Sequence, residues 1–147
     1  MSKLTGRCLC GAVRYRLASE PFDCGWCHCR TCQLSSGAPA MAFASVKQGD
    51  WLVTEGETEI RRIRSSSFAE RLSCGRCGTP LGIDYDIQPD TFDFSVATLD
   101  DPAAVRPGFH IFWASKVAWF DPGGDLPKHE RFRPNTVGLD GTEPPDD

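Results

Sequence analysis

The sequence contains no apolar run long enough to cross a membrane, and no apolar run follows the positive charge near its start. We therefore expect no membrane partner, no secretory signal and a cytoplasmic location. The sequence also lacks an excess of basic residues, because 16 lysines and arginines face 20 acidic residues. Without a basic surface the chain lacks the electrostatic property of a nucleic-acid-binding protein, so no nucleic-acid partner is expected.

The negative charge is concentrated at the end of the chain. Residues 135–147 include four acidic and no basic side chains and are rich in proline and glycine, a composition typical of disorder. The preceding 134 residues carry 16 basic and 16 acidic side chains. This length suits one domain with its own core. We predict a single zinc-binding domain at 1–134, for the reasons given below, and a disordered acidic tail at 135–147.

Long amphipathic helical patterns are also missing from the sequence. Apolar residues instead alternate with polar ones, which is typical of strands. The clearest alternation is at Val13–Leu17, Leu81–Ile87, Phe92–Val96 and Phe109–Trp113, and weaker candidates are Met41–Val46, Trp51–Thr54 and Glu59–Arg64. One helical turn is expected after Cys32, ending near Gly37. The pattern predicts an all-β domain of antiparallel sheets with few short helical turns.

Eight cysteines are the most unusual feature of the composition. Thiols stay reduced in the cytosol, so this number indicates metal binding or catalysis rather than disulfides. The cysteines form three groups: Cys8 and Cys10; Cys24, Cys27, Cys29 and Cys32; and Cys74 and Cys77.

The first and last groups read "CLCG" and "CGRCG". A glycine directly after the second cysteine can adopt a left-handed turn that points backbone N–H groups at sulfur. Two such pairs together offer four thiolates, the ligand set of a closed structural zinc site. We predict that this site joins the start of the chain to its middle.

The central group, "CGWCHCRTC", admits several interpretations. Haem attachment at C-x-x-C-H normally needs export, and a redox dithiol would need a βαβ context. A zinc deaminase would need glutamate at the position of Arg30. Zinc binding remains. The spacing leaves two forms open: a closed site of four thiolates, or three thiolates with an open position.

Several segments in order resemble the glutathione-dependent formaldehyde-activating enzyme (GFA) family, also called the CENP-V/GFA domain: "GRCLCGAVRY", "CHCRTCQLSSGAP", "RSSSFAERLSCGRCGTPL", "TLDDPAAVRPGFHIFW" and "DLPKHERF". The resemblance implies an Mss4-like β-tent fold with two zinc ions per chain. It implies a structural zinc on Cys8, Cys10, Cys74 and Cys77, and a catalytic zinc on Cys27, Cys29 and Cys32. Cys24 departs from the family pattern, and we expect it to stay off the metal.

Three thiolates would leave a zinc unit with a formal charge of −1, which favours binding a substrate thiol as thiolate over making hydroxide. With the resemblance, this predicts a carbon–sulfur lyase or synthase acting on a thiol–aldehyde adduct. The first expectation is S-(hydroxymethyl)glutathione formation from glutathione and formaldehyde, with a homodimer left open. The alternative is a non-enzymatic binding module in which both metals are structural.

Other polar residues have weaker claims to a role. We expect His28 to point away from the metal, and His110 to be a structural histidine. The arginines that could meet substrate carboxylates, or else form a solvated strand face, are Arg61, Arg62, Arg64 and Arg71. The aspartate pairs Asp84/Asp86 and Asp100/Asp101 are expected to be structural.

Overall fold

A computed structural model describes residues 2–133 of the protein, so the tail predicted at 135–147 lies outside the described residues. Ten strands are present in this part of the chain: β1 (Thr5–Arg7), β2 (Arg14–Leu17), β3 (Phe22–Cys27), β4 (Met41–Lys47), β5 (Trp51–Glu55), β6 (Ile60–Arg64), β7 (Ala69–Cys74), β8 (Pro80–Tyr85), β9 (Thr91–Ser95) and β10 (His110–Ile111). The α-helix, α1, spans Arg30–Ser36. Within residues 2–133, no helix has both the length and the apolar character needed to span a membrane.

The strands form two sheets. The smaller sheet has the order β1-β2-β5, and the larger has the order β10-β3-β4-β9-β8-β7-β6. Neighbouring strands are antiparallel except for β10, which pairs in parallel with β3. The all-β prediction with short helical turns is therefore confirmed.

The first hydrophobic core lies between the two sheets. Tyr15 of β2 packs against Phe94 of β9, with ring centroids 6.2 Å apart, and Trp51 of β5 packs against Phe92 at 4.9 Å. Tyr15 and Phe94 are almost completely buried. This core holds the small sheet against one face of the large sheet, because burying such aromatic side chains removes much apolar area from water.

A second hydrophobic core covers the other face of the large sheet. It contains Cys27, Cys29 and Cys32 together with Phe43 and Ile83. Side chains of β4 and β9 alternate between the cores, since Ala44, Val46, Phe92 and Phe94 belong to the first core and Phe43 to the second. The large sheet is thus covered on both faces, and the central cysteines lie on the face opposite the small sheet.

Helix α1 begins earlier than expected. Cys29 is its N-cap, and the Cys29 sulfur accepts a hydrogen bond from the Cys32 amide at 3.3 Å. The helix starts at Arg30, three residues before the start of the helical turn predicted after Cys32. The predicted end was right, because the amide of Gly37 donates to the carbonyl of Gln33 at 2.8 Å.

The strand predicted at Phe109–Trp113 is shorter in the structure. Strand β10 covers His110–Ile111, and Phe112 then takes the left-handed conformation with φ 53°. A 3₁₀ turn at Trp113–Ser115 follows. Of the predicted strand, only His110 and Ile111 lie in the sheet, and the backbone leaves the sheet after them.

Candidate metal centres and active site

Cys8, Cys10, Cys74 and Cys77 come together between the two sheets. The first pair lies in the loop between β1 and β2, and the second pair lies at the end of β7 and in the turn before β8. All four sulfur atoms lie within 4.8 Å of one another. The Cys8 and Cys10 sulfurs are 3.6 Å apart, and the Cys10 and Cys74 sulfurs are 3.9 Å apart.

Backbone amides point at these sulfurs. Val13 N donates to the Cys8 sulfur at 3.3 Å, and Arg76 N donates to the Cys74 sulfur at 3.4 Å. Gly11 and Gly78, which directly follow the second cysteine of each pair, have φ 78° and 82°. These are left-handed conformations that glycine adopts without strain. The turn geometry expected from "CLCG" and "CGRCG" is therefore present.

The four-sulfur cluster has the dimensions that zinc requires. Zinc–sulfur bonds of about 2.3 Å in a tetrahedron place neighbouring sulfurs about 3.8 Å apart, close to the two separations above. The Thr79 hydroxyl lies 3.2 Å from the Cys77 sulfur. Hydrogen bonding to Thr79 and to the Cys10 backbone lowers the pKa of Cys77 to about 5. The cluster could hold a metal ion, and its position would fasten the small sheet to the large one.

Cys27, Cys29 and Cys32 form a second cluster, again with sulfurs within 4.8 Å of one another. Cys27 ends β3, Cys29 caps α1, and Cys32 lies in the first turn of that helix. All three are buried. Among the described residues, no fourth cysteine, histidine or carboxylate joins this group.

The charge of the triad also suits a metal. Hydrogen bonds from Cys27 and Cys32 lower the pKa of Cys29 to about 3. The hydrogen bond to Cys29, together with burial, raises the pKa of Cys27 well above its usual value. The three sulfurs alone thus favour one thiolate that accepts hydrogen bonds from thiols. A bound cation is needed to stabilise three thiolates at this buried position.

Cys24 does not belong to the triad. It lies in the same strand as Cys27 but packs against the first core, between the sheets, whereas Cys27 belongs to the second core. Partial burial raises the pKa of Cys24 to about 11. The interpretation in which four central thiolates close around one metal therefore disagrees with the positions of these side chains.

A small cleft opens beside Cys27. Its volume is about 60 Å³, enough for a few water-sized molecules. Aromatic walls are provided by Phe43, Tyr85, Phe109 and Phe132. The Phe109 ring approaches the backbone of β3 closely, because a Cβ atom at Gly25 would lie 2.2 Å from it.

One side of this cleft is polar. Asp23, Ser45, Asp93 and Arg133 are among its lining residues. Arg133 forms an ion pair with Asp23 at 2.7 Å, and its guanidinium lies 4.3 Å from the Phe109 ring centroid. The cleft therefore combines a sulfur ligand, aromatic walls and a carboxylate-bearing side.

A larger cavity lies on the same face of the sheet. Its volume is about 440 Å³, and it shares Phe43 with the small cleft. Arg71 is the charged residue among its described lining residues, and Ser35, Ser65 and Ser95 add hydroxyl groups. This size and this combination of apolar walls with few polar groups are typical of small-molecule sites.

Arg71 is the one of the four candidate arginines that reaches the triad. Its Nη2 donates to the Cys32 sulfur at 3.4 Å, and its Nη1 donates to Ser35 Oγ at 3.0 Å. Its Nε is buried without a hydrogen-bond partner. Arg62 instead forms ion pairs with Glu70 and Asp84, and Arg64 pairs with Asp86.

The two histidines singled out from the sequence contact each other. His28 Nε2 lies 2.8 Å from His110 Nδ1, and both side chains are buried. Trp113 packs edge-on against both rings. Burial lowers the pKa of both histidines, for His28 to about 4. The contact between the two histidines holds β10 against the segment between β3 and α1, which is a structural role.

Sequence reasoning missed Ser45, Tyr85 and Asp93 as cleft residues. Asp93 lies between Phe92 and Phe94, so simple alternation places it on the face away from the first core. The structure agrees with this alternation, but in this fold the other face of the sheet is covered as well. Asp93 is paired with Ser45 of β4, but this pairing follows from the strand register, which the sequence alone does not give.

Comparisons with known proteins agree with this geometry. The family profile described as "Glutathione-dependent formaldehyde-activating enzyme" matches residues 3–115. A Schizosaccharomyces pombe protein named an uncharacterized lyase is 38% identical over 85 residues, which is 58% of this chain and 60% of that protein. The alignment thus spans less than two thirds of that relative.

A Halomonas elongata protein, named provisionally as a glutathione-dependent formaldehyde-activating enzyme, is 28% identical over 127 residues, or 80% of each chain. The crystal structure of a Rhodobacter sphaeroides protein from structural genomics superposes with a TM-score of 0.56 at 25% identity. The superposition covers 70% of this chain and 91% of the Rhodobacter sphaeroides chain. The profile match extends over most of the described residues, and the chain belongs to the glutathione-dependent formaldehyde-activating enzyme family.

Proposed function

We propose that the protein is a zinc-dependent enzyme that makes or breaks the carbon–sulfur bond of a thiol–aldehyde adduct. The substrates that fit best are glutathione and formaldehyde, which combine to S-(hydroxymethyl)glutathione. The names of the two relatives and of the family support an enzyme of this kind. In this proposal Cys8, Cys10, Cys74 and Cys77 hold a structural zinc, and Cys27, Cys29 and Cys32 hold a catalytic zinc.

The observation that carries the proposal is the incomplete ligand set of the triad. Three buried cysteine sulfurs converge beside a cleft, and no fourth ligand from the described residues accompanies them. A purely structural zinc is almost always held by four protein ligands, whereas a catalytic zinc has three and an open position. This difference favours an enzyme over a binding module with two structural metals.

A zinc ion on the triad would supply a position for the substrate sulfur and would favour its thiolate form. The chain's own residues determine what can approach that sulfur. The cleft beside Cys27 has room for a one-carbon aldehyde and not for a tripeptide. Phe43 and Phe109 form apolar walls there, which limit the water that competes for the aldehyde.

The larger cavity suits the rest of glutathione. Its volume falls in the range of ligand pockets, and Arg71 gives it a positive charge with no acidic residue among its described lining residues. The Arg71 guanidinium lines this cavity and can donate to a carboxylate, and glutathione has two. Since Arg71 also contacts Cys32, the carboxylate would be held close to the triad.

The proposal is tested by measuring adduct exchange. Carbon-13 formaldehyde and glutathione are mixed with the zinc-loaded protein, and magnetisation-exchange NMR gives the rate of interconversion between hydrated aldehyde and adduct. We expect exchange faster than in the protein-free mixture, and we expect Cys29→Ser to lose the acceleration. Equal rates with and without the wild-type protein would refute the enzymatic proposal.

A further inference from the structure

Asp93 places a carboxyl group inside the small cleft beside the triad. It lies on central strand β9, opposite Ser45 of β4. Ser45 Oγ donates to Asp93 Oδ1 at 2.6 Å, which fixes the orientation of the carboxyl group. Cys27 lines the same cleft. A carboxyl group held this way faces a molecule that occupies the cleft.

The surroundings of Asp93 tune its proton affinity. Burial raises the pKa of Asp93 to about 6, the hydrogen bond from Ser45 opposes that rise, and the Asp23 carboxylate adds to it. The other titratable or charged groups that line the cleft are Cys27, Tyr85 and Arg133. Burial also raises the pKa of Tyr85 well above its ordinary value, so the phenol stays neutral. Asp93 is therefore the cleft carboxyl suited to proton exchange near neutral pH.

We propose that Asp93 is the general acid and base of the thiol–aldehyde reaction, a catalytic role that rests on the function proposed above. In the forward direction the substrate sulfur forms a bond to the aldehyde carbon, and the carbonyl π bond breaks. The protonated Asp93 carboxyl donates its proton to the carbonyl oxygen, which becomes the hydroxyl of the adduct. The proton released when the substrate thiol ionises returns to Asp93 through solvent.

The reverse reaction uses the same group as a base. The Asp93 carboxylate takes the hydroxyl proton of the adduct, the carbon–oxygen double bond forms again, and the carbon–sulfur bond breaks. The sulfur leaves as thiolate with the electron pair, so atoms and charge balance in both directions. No oxidant or reductant is required.

The decisive variant is Asp93→Asn, which keeps the shape and an acceptor oxygen for Ser45 but cannot transfer a proton. We expect its adduct exchange rate to fall by about 10²- to 10⁴-fold, the usual contribution of a positioned acid or base. Metal content and glutathione affinity should stay unchanged, because Asp93 belongs to neither cysteine cluster. Asp90→Asn is the matched control, since Asp90 is an exposed carboxylate just before β9.

The pH profile gives a second readout. The rate of adduct cleavage by the wild type should rise with pH through an inflection near 6, as the carboxylate forms. NMR of protein carrying carbon-13 aspartate should show one carboxyl titrating at the same pH, and Asp93→Asn should lack both features. Ser45→Ala removes a hydrogen bond that lowers the pKa, so it should move the inflection upward.

The outcomes separate this inference from the proposed function. A wild type that does not accelerate exchange overturns both. A wild type that accelerates exchange, with Asp93→Asn retaining the full rate, overturns the role of Asp93 alone. If Asp93→Asn does not fold, Ser45→Ala decides, because an unmoved inflection in that variant also overturns the role of Asp93.

Discussion

The guanidinium of Arg71 reaches the sulfur of Cys32 across 3.4 Å and so connects strand β7 to the first turn of α1. The same side chain lines the larger cavity. Arg71 can therefore act on Cys32, the proposed metal ligand, on the substrate, or on both. A contact with a substrate carboxylate should matter only for thiols that carry one, whereas a contact with Cys32 should matter for every thiol.

We predict that Arg71→Lys weakens the use of glutathione far more than the use of cysteamine, a thiol without a carboxylate. Losing a charge-assisted hydrogen bond to a carboxylate costs about 1.5–3 kcal/mol, or roughly a 10- to 150-fold rise in KM. Measuring KM for both thiols checks this. An equal loss for both would instead assign Arg71 to the support of Cys32. Arg62→Lys is the matched control, because Arg62 pairs with Glu70 and Asp84 instead of Cys32.

Cys24→Ala should leave the metal content unchanged. Cys24 packs against the first core, away from the triad, so we expect only the loss of a small, half-buried side chain. The free energy of unfolding should fall by about 1 kcal/mol. Zinc content by mass spectrometry, compared with Cys27→Ala, measures the difference. Loss of one zinc from Cys24→Ala would show a closed four-cysteine site and support the binding-module interpretation.

The two clusters should respond differently to the loss of a ligand. Cys74→Ser should unfold or aggregate the protein, because the four-cysteine cluster joins the two sheets and a structural metal contributes folding free energy. Cys29→Ser should remain folded with about one zinc. Cys29 is the most exposed member of the triad, at 8% against 4% for Cys27 and 0% for Cys32. Thermal melts of both variants, with metal analysis, test this difference, which similar melting losses would contradict.

The cysteine clusters could be predicted because ligand spacing is a local property of the sequence. The spacings of "CLCG" and "CGRCG" indicate two half-sites, and the glycines indicate the turns that complete them. The exclusion of Cys24 could not be derived from spacing, because it depends on which core each side chain of β3 joins. A register irregularity between Phe22 and Gly25 lies just where that choice is made.

The cleft residues could not be predicted for a different reason. Alternation along β9 separates Phe92 and Phe94 from Asp93 but does not say what covers the second face of the sheet. Helix α1 and the segment after β10 cover it, and both are placed by long-range contacts such as that between His28 and His110. Arg71 illustrates the same point, since only the assembled sheet distinguishes it from Arg62 and Arg64.

Asp93→Asn should stabilise the protein at neutral pH. The folded protein holds Asp93 with a pKa of about 6, against an ordinary value of 3.8. The folded state therefore binds more protons than the unfolded state between these values, and this contribution to stability falls as pH rises through that window. Removing the charge should raise the free energy of unfolding by at most about 3 kcal/mol at pH 7, and should change it little below pH 4.

Urea unfolding at pH 4 and pH 7 measures this effect, with Asp90→Asn as the reference for removing an exposed carboxylate. The stabilisation of Asp93→Asn should appear at pH 7 and shrink at pH 4. A stability difference that does not depend on pH would contradict the raised pKa. Together with the expected loss of rate, a stabilised variant would identify Asp93 as a group kept for chemistry at a cost in stability.

Binding of a thiol should be visible without any aldehyde. In the cobalt-substituted protein, a new sulfur ligand strengthens the thiolate-to-metal absorption, and glutathione should produce this change with release of a proton. Cysteamine should produce it too, at higher concentration, because it cannot use Arg71. Cys24→Ala should respond as the wild type does, since that thiol lies in the first core. If neither thiol changes the spectrum, the triad does not admit a substrate sulfur and the second metal is structural.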